Sequence, residues 1–266
     1  MKQNQEKENA ALAALDYIQH ECILGVGSGS TVTILIQNLN KVKHKIKASV
    51  SSSEDTTNKL KQAGFEVDEL SNVGSPDLYI DGADEVTRNF YMTKGGGGAL
   101  TREKILAAAS KKIICIVDSS KIVDVLGKYP LPIEVIPMAK SHISREIIRL
   151  GGQPELRQNF VTDNGNLILD VHNLTIIDPP HMEKQINNIA GVVSEVLILG
   201  AIEKDGKVVL VHPSQKAEAK ALVLLCPWSM PAGNFAATLL LPVSEPPQVV
   251  ALRSFVAALA LHGAFC

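Results

Sequence analysis

The sequence predicts an α/β protein: a parallel-sheet domain, a smaller α+β unit inserted into it, and an atypical apolar C-terminal tail. Three observations carry this. Short apolar runs alternate with helical ones through the first half of the chain, the rhythm of a parallel sheet with crossover helices. From about residue 130 the rhythm becomes β-α-β-β-α-β, the order of a ferredoxin-like unit. After residue 220 the chain turns apolar and proline-broken. With 266 residues and 45% apolar side chains, there is material for one large domain or two modest ones.

Residues 6 to 19 set Ala10, Leu12, Ala14, Leu15 and Ile18 among charges at roughly helical spacing, as in a surface helix lying on a sheet. CILGV, GSGST and VTILIQNL follow as strand, turn and helix. IKASV is a second strand, Ser51 to Ser53 a polar turn, and EDTTNKLKQA a helix closed by Gly64. DLYI is a third strand ending at Asp81, and KKIICIV a fourth ending at Asp118-Ser119-Ser120-Lys121. In the second unit LPIEVIPM reads as a strand, HISREIIRL as a helix stopped by Gly151-Gly152, and QPELRQ as extended chain. FVTD and NLILDV flank Asn164-Gly165, which predicts a hairpin at that dipeptide. PHMEKQINNI is a Pro-initiated helix and VVSEVLIL one further strand. AIEKDGKVVLV bends at Asp205-Gly206 and is expected to return the chain to the first sheet.

Ligands of open parallel sheets bind beyond the carboxyl ends of the strands. Four polar clusters fall there: GSGST, SSS, DGAD and DSSK. Their convergence on one rim is therefore expected. GSGST opens a helix, where free N–H groups and the helix dipole favour a phosphate, although Ser30 or Thr31 can equally serve as ordinary N-caps. The densest stretch, DGADEVTRNFYMTKGGGGALTREK from Asp81 to Lys104, gathers Asp81, Asp84, Lys94, Gly95 to Gly98 and Glu103. Four successive glycines lose much entropy on folding. They make either a flexible linker or a place where backbone N–H groups approach a small anion.

Composition narrows the partners. A net charge of −2 without Lys/Arg runs gives no pull towards nucleic acid or an anionic membrane surface. Cys22, Cys115, Cys226 and Cys266 are scattered, and the histidines share no ligand spacing, so no metal site is expected. Cys115, inside IICIV, reads as a buried small hydrophobe. The polar N-terminus MKQNQEKENAA lacks the apolar stretch of a signal peptide, so a cytoplasmic setting is expected. The tail has no uninterrupted apolar run long enough to cross a bilayer. Residues 248 to 261 suggest a short apolar helix.

The motifs GVGSGST, SSSEDTTNKL, YIDGADEV, KGGGGALTREKI, DSSKIVDVLGKYPLPIEVIPMA, GGQPELRQ, VTDNGNLILDV and IAGVV, collinear from about residue 7 to 198, resemble type A ribose-5-phosphate isomerase. That resemblance implies a Rossmann-like sheet domain (1–127 and 199–220), an inserted ferredoxin-like lid (128–198) and a C-terminal extension (221–266) foreign to the family pattern. It implies interconversion of ribose 5-phosphate and ribulose 5-phosphate, in the non-oxidative pentose phosphate pathway, without metal or organic cofactor. Its partners are then a small sugar phosphate and further copies of the chain, as dimer or tetramer, with no nucleic acid or membrane. By the same resemblance Glu103 is the base, and Asp81 and Asp84 hold sugar hydroxyls and open the ring with Lys94. Lys94 and the glycine N–H groups meet the enediolate oxygens. The substrate is expected to lie along Ser28, Gly29, Ser30, Thr31, Asp81, Gly82, Ala83, Asp84, Lys94, Gly95, Gly96, Gly97 and Lys121. Lys7 falls where the family can carry another phosphate-facing lysine, but an exposed, solvated side chain is expected there.

Without the glycines and the resemblance, Glu103 reads first as a routine acid of a helix's first turn. The dipole would lower its pKa and burial would raise it. Two other functions fit parts of the pattern: a sugar-phosphate sensor without turnover, and a nucleotide-binding protein, the latter disfavoured because no GxGxxG follows the first strand.

Overall fold

A computed structural model describes residues 2–195 and 197–198. The expected return at 199–220, the extension 221–266 and its helix at 248–261 lie outside the described residues. The elements run α1 (Lys2–Ala14), β1 (Cys22–Val26), α2 (Ser30–Asn38), β2 (Ile46–Ser51), α3 (Glu54–Gln62), α4 (Leu70–Val73), β3 (Leu78–Asp81), β4 (Glu85–Thr87) and β5 (Met92–Thr93). They continue with α5 (Leu100–Ala109), β6 (Ile113–Cys115), β7 (Ile122–Val123), β8 (Leu131–Val135), α6 (Lys140–Arg149), β9 (Gln153–Leu156), β10 (Leu167–His172), α7 (Pro179–Asn187), β11 (Val192–Glu195) and β12 (Leu197–Ile198).

The first sheet has the order β2-β1-β3-β6 with every pairing parallel. Chain order reverses between β1 and β3, the switch point at which such sheets open a crevice. Side chains on these strands alternate between two cores. Leu78, Ile80, Ile114 and Ile116 pack with Ala10, Ala11 and Ala14 of α1 and Val32, Leu35 and Ile36 of α2. Tyr79, Ile113, Cys115 and Val117 face the other way, onto Leu100, Leu106 and Ala107 of α5. The apolar residues of α1 are therefore its buried face, as the spacing predicts.

The second sheet is antiparallel, with the order β11-β8-β10-β9. Leu131, Ile133, Val135, Leu169 and Val171 pack on Ile143, Ile147 and Ile186 of α6 and α7. Ile168 turns to the opposite face and joins the core of α5. That helix is thus shared between the two sheets. Its N-terminal Thr101 donates to Glu134 of β8, a fully buried carboxylate that also accepts from Thr162, Asn164 and Asn166.

Two expectations fail in this region. The chain does reverse at Asn164-Gly165, with Gly165 N–H on Thr162 O and Thr162 N–H on Asn166 O, but the strand expected before the turn is displaced to β9. FVTD is not a strand, because Thr162 and its neighbours turn inward to satisfy Glu134, and β10 pairs with β9 instead. VVSEVLIL is two strands rather than one: β11 belongs to the second sheet and β12 to a third. That third sheet, β12-β5-β4-β7, was not foreseen from sequence. Its strands have two or three residues each, too few for periodicity to register.

Candidate active site

The loops after β1, β3 and β6 meet the tetraglycine loop and α5 around a cavity of about 110 Å³. Its wall includes Ser28, Gly29, Ser30, Thr31, Gly82, Ala83, Asp84, Lys94, Gly95, Gly96, Gly97, Glu103 and Lys121, together with Ile116 and Val117. Every candidate residue except Asp81 is on that wall.

Asp81 stands behind it, 2% exposed. One oxygen accepts from the N–H groups of Ser28 (3.1 Å) and Gly82 (2.7 Å); the other meets the Tyr79 hydroxyl and the Lys94 ammonium, the latter at 2.7 Å. Four donors thus occupy the two oxygens of Asp81. It ties the two switch-point loops together. Gly27 makes this possible: a Cβ there would lie 2.0 Å from the Asp81 carboxyl carbon.

Lys94 is likewise enclosed, with Gly82 O and Asp81 at 2.7 Å and Glu103 Oε2 at 3.1 Å. The neighbouring carboxylates outweigh burial and raise its pKa, so it stays an ammonium. Glu103, also 2% exposed, accepts from Ser28 Oγ at 2.6 Å through Oε1, whereas Oε2 has the nearby ammonium but no aligned hydrogen bond. Burial, then the charge of Asp81, lift the Glu103 pKa, and Lys94 and Ser28 only partly oppose them. The sequence left the direction of this shift open. Burial decides it.

In the tetraglycine loop, Gly96 N–H donates to Asp84 Oδ2 at 2.7 Å and Gly98 N–H to Gly95 O at 2.8 Å. Among the described residues, those of Gly95 and Gly97 have no protein partner. The linker reading does not fit a loop held this closely: a Cβ on Gly96 would come within 2.5 Å of Asp84 and 2.7 Å of the Tyr129 hydroxyl oxygen, and one on Gly98 within 2.2 Å of Phe160. Across the cavity, α2 begins after Gly29, whose φ of 99° favours glycine. Neither Ser30 nor Thr31 is its N-cap, and no side chain caps it. Its first N–H groups therefore present positive potential to the cavity. Lys121 lies opposite, its ammonium 5.8 Å from the centre of the Tyr129 ring.

Not all of the foreseen convergence holds. The SSS cluster turns back on its own helix: Ser53 caps α3 by accepting from Thr56 N–H at 3.1 Å, and Ser51 bonds Thr57. From DSSK only Lys121 reaches the cavity, because Asp118 caps its own turn through Ser120 N–H at 3.0 Å. Lys7 is half-buried, and its ammonium donates to Ser30 Oγ at 2.9 Å in an exposed hydrogen bond. Sequence reasoning also missed Tyr79, Tyr129 and Glu85. Glu85, buried beside Asp84, accepts from Gly127 and Tyr129 N–H at 2.7 Å each and so places the segment carrying Tyr129. A carboxylate inside DGADEV was the only available signal.

The ribose 5-phosphate isomerase A (phosphoriboisomerase A) family model matches residues 48–212. Ribose 5-phosphate isomerase A from Neisseria gonorrhoeae is 39% identical, with a TM-score of 0.75 over 86% of this chain and 98% of its own. The isomerase from Methanocaldococcus jannaschii is 29% identical, with a TM-score of 0.73 over 84% and 99%. A D-ribose-5-phosphate isomerase solved with phospho-erythronic acid is 35% identical, with a TM-score of 0.72 over 76% and 93%. The parallel sheet and the separate antiparallel sheet agree with those relatives, and the chain belongs to the ribose 5-phosphate isomerase A family and has its isomerase activity.

Proposed function

We propose that the switch-point cavity is where ribose 5-phosphate and ribulose 5-phosphate are interconverted, with Glu103 moving one proton between C2 and C1. The observation that carries this is the Glu103 carboxylate: enclosed, lining the cavity, hydrogen-bonded to Ser28 and ion-paired with Lys94. A single carboxylate can take the proton from one carbon and return it to the next. Its raised pKa makes the protonated half of that cycle accessible. The enediolate formed between the two transfers carries negative charge on oxygen, which the N–H groups of Gly95 and Gly97 meet. Lys94 holds Asp81 and Glu103 in place and supplies the nearby positive charge.

The substrate phosphate is assigned to the uncapped start of α2, with Ser30, Thr31, Lys7 and Lys121 around it. Asp84, with one oxygen held by Gly96, offers the other to a sugar hydroxyl during ring opening. Phospho-erythronic acid, bound by a relative, suits such a site because its carboxylate imitates the enediolate and its phosphate the substrate's. This chemistry calls for neither metal nor organic cofactor. A sensor that binds without turnover has no use for the enclosed Glu103.

Residues 1–127 and 199–220 are assigned to a Rossmann-like catalytic domain, 128–198 to a ferredoxin-like lid and 221–266 to an extension. A homodimer or homotetramer in the cytoplasm is the corresponding setting, and no helix among the described residues is long and apolar enough to cross a membrane. The test follows ribulose 5-phosphate formation in chelator. Glu103→Gln should reduce kcat by about two orders of magnitude or more, and unchanged turnover would remove Glu103 from its role.

A further inference from the structure

Arg157, at the end of β9, reaches across to the tetraglycine loop. Its Nε and Nη2 meet the two carboxylate oxygens of Asp170 on the adjacent strand, with Nε to Oδ2 at 2.8 Å. Such a two-point pairing fixes the plane of the guanidinium, not merely its position. Phe160 packs against it, ring centre 5.3 Å away. The remaining Nη1 donates to the carbonyl oxygen of Gly96 at 3.1 Å.

That contact governs the following peptide. In a trans peptide the C=O and the next N–H point in opposite directions, and no peptide bond among the described residues is cis. With Gly96 O turned towards Arg157, Gly97 N–H turns away from it. On the Arg157 side lies a second cavity, about 400 Å³, bounded by Gly96, Gly97, Tyr129, Arg157 and Asp170. On the other side lies the cavity of Glu103, with Ser28 Oγ 3.5 Å from where a Gly97 Cβ would be. Two glycines flank this peptide, so no side chain restrains it. An external bond must.

We propose that Arg157, oriented by Asp170, is a positioning residue for the isomerisation: it locks the Gly96–Gly97 peptide so that Gly97 N–H faces the developing oxyanion. Arg157 touches no substrate in this scheme. The inference rests on the reading above that the glycine N–H groups meet the enediolate, and it gives the GGQPELRQ and NLILDV segments a part in the chemistry.

The experiment compares Arg157→Ala and Asp170→Asn with wild type, using Glu103→Gln as the control for the chemical step. Arg157→Ala should lower kcat roughly tenfold to a hundredfold, the cost of a misplaced donor, while KM stays within about twofold. Affinity for phospho-erythronic acid should fall by the same factor as kcat, and affinity for inorganic phosphate should not change. Because the second cavity borders the vacated position, millimolar guanidinium chloride should restore part of kcat where equal sodium chloride does not. Wild-type kcat, a loss carried by KM, or a kcat loss that neither analogue binding nor guanidinium follows would overturn the proposal. Should Arg157→Ala fail to fold, Asp170→Asn decides: a lowered kcat at constant KM supports the role, and an unchanged kcat ends it. An active Glu103→Gln would instead defeat the base assignment, leaving the analogue affinities to judge Arg157.

Discussion

Glu103 is buried beside one carboxylate and one ammonium, and the sign of its pKa shift has a kinetic consequence. Burial and Asp81 raise the value above that of an ordinary glutamate. The base works only when ionised, so activity is present above the raised value and is lost as pH falls through it. The acid limb of kcat/KM, which reports free enzyme and free substrate, should therefore lie above the usual carboxylate range. The substrate phosphate also titrates, with a second pKa of about 6, so a variant is needed to tell the two groups apart. Ser28 stabilises the ionised form by donating to Oε1; Ser28→Ala should move the enzyme's limb to still higher pH. A limb that stays put in this variant would mean the titrating group is not Glu103. Lys121 poses a simpler question. If it serves phosphate binding alike in ground and transition states, Lys121→Ala raises KM and leaves kcat nearly intact, whereas a fall in kcat at constant KM would place it in the chemistry.

At the scale of elements, side chains that look alike in sequence part company because of what each can satisfy locally. GSGST and SSS both follow strands and precede helices. Gly29 in the first leaves α2 without a side-chain cap, and its N–H groups remain for a ligand. Ser53 in the second caps α3 and Thr56 then donates to Gly27 O at 2.7 Å. Ser53→Ala should accordingly cost about 1 kcal/mol of stability, the usual worth of a cap, measured by urea denaturation. It should leave kcat and KM unchanged, and a kinetic defect without a stability loss would return the serine cluster to the site. The absence of a strand at FVTD has the same origin. Asn164-Gly165 does form a turn, but Thr162, Asn164 and Asn166 bond to buried Glu134 rather than extending into a strand.

For the molecule as a whole, the residues assigned to catalysis lie between Ser28 and Lys121, with Lys7 and Arg157 outside that span, and the family match ends at residue 212. A chain cut after residue 220 should turn over ribose 5-phosphate as the full chain does; a folded but inactive truncation would place a needed group in the extension. The sequence by itself determined the parallel sheet, the α+β unit and nearly every residue of the cavity wall. It did so because strand periodicity and glycine-rich turns are local, and because a sheet of this kind brings its strand ends together at one rim. Only the tertiary structure decided that Asp81 stands behind the wall, that burial and Asp81 outweigh Lys94 and Ser28 at Glu103, and that an arginine some sixty positions away holds the glycine loop. Those outcomes depend on which donors and charges remain unsatisfied once distant segments pack, a quantity that no local pattern carries.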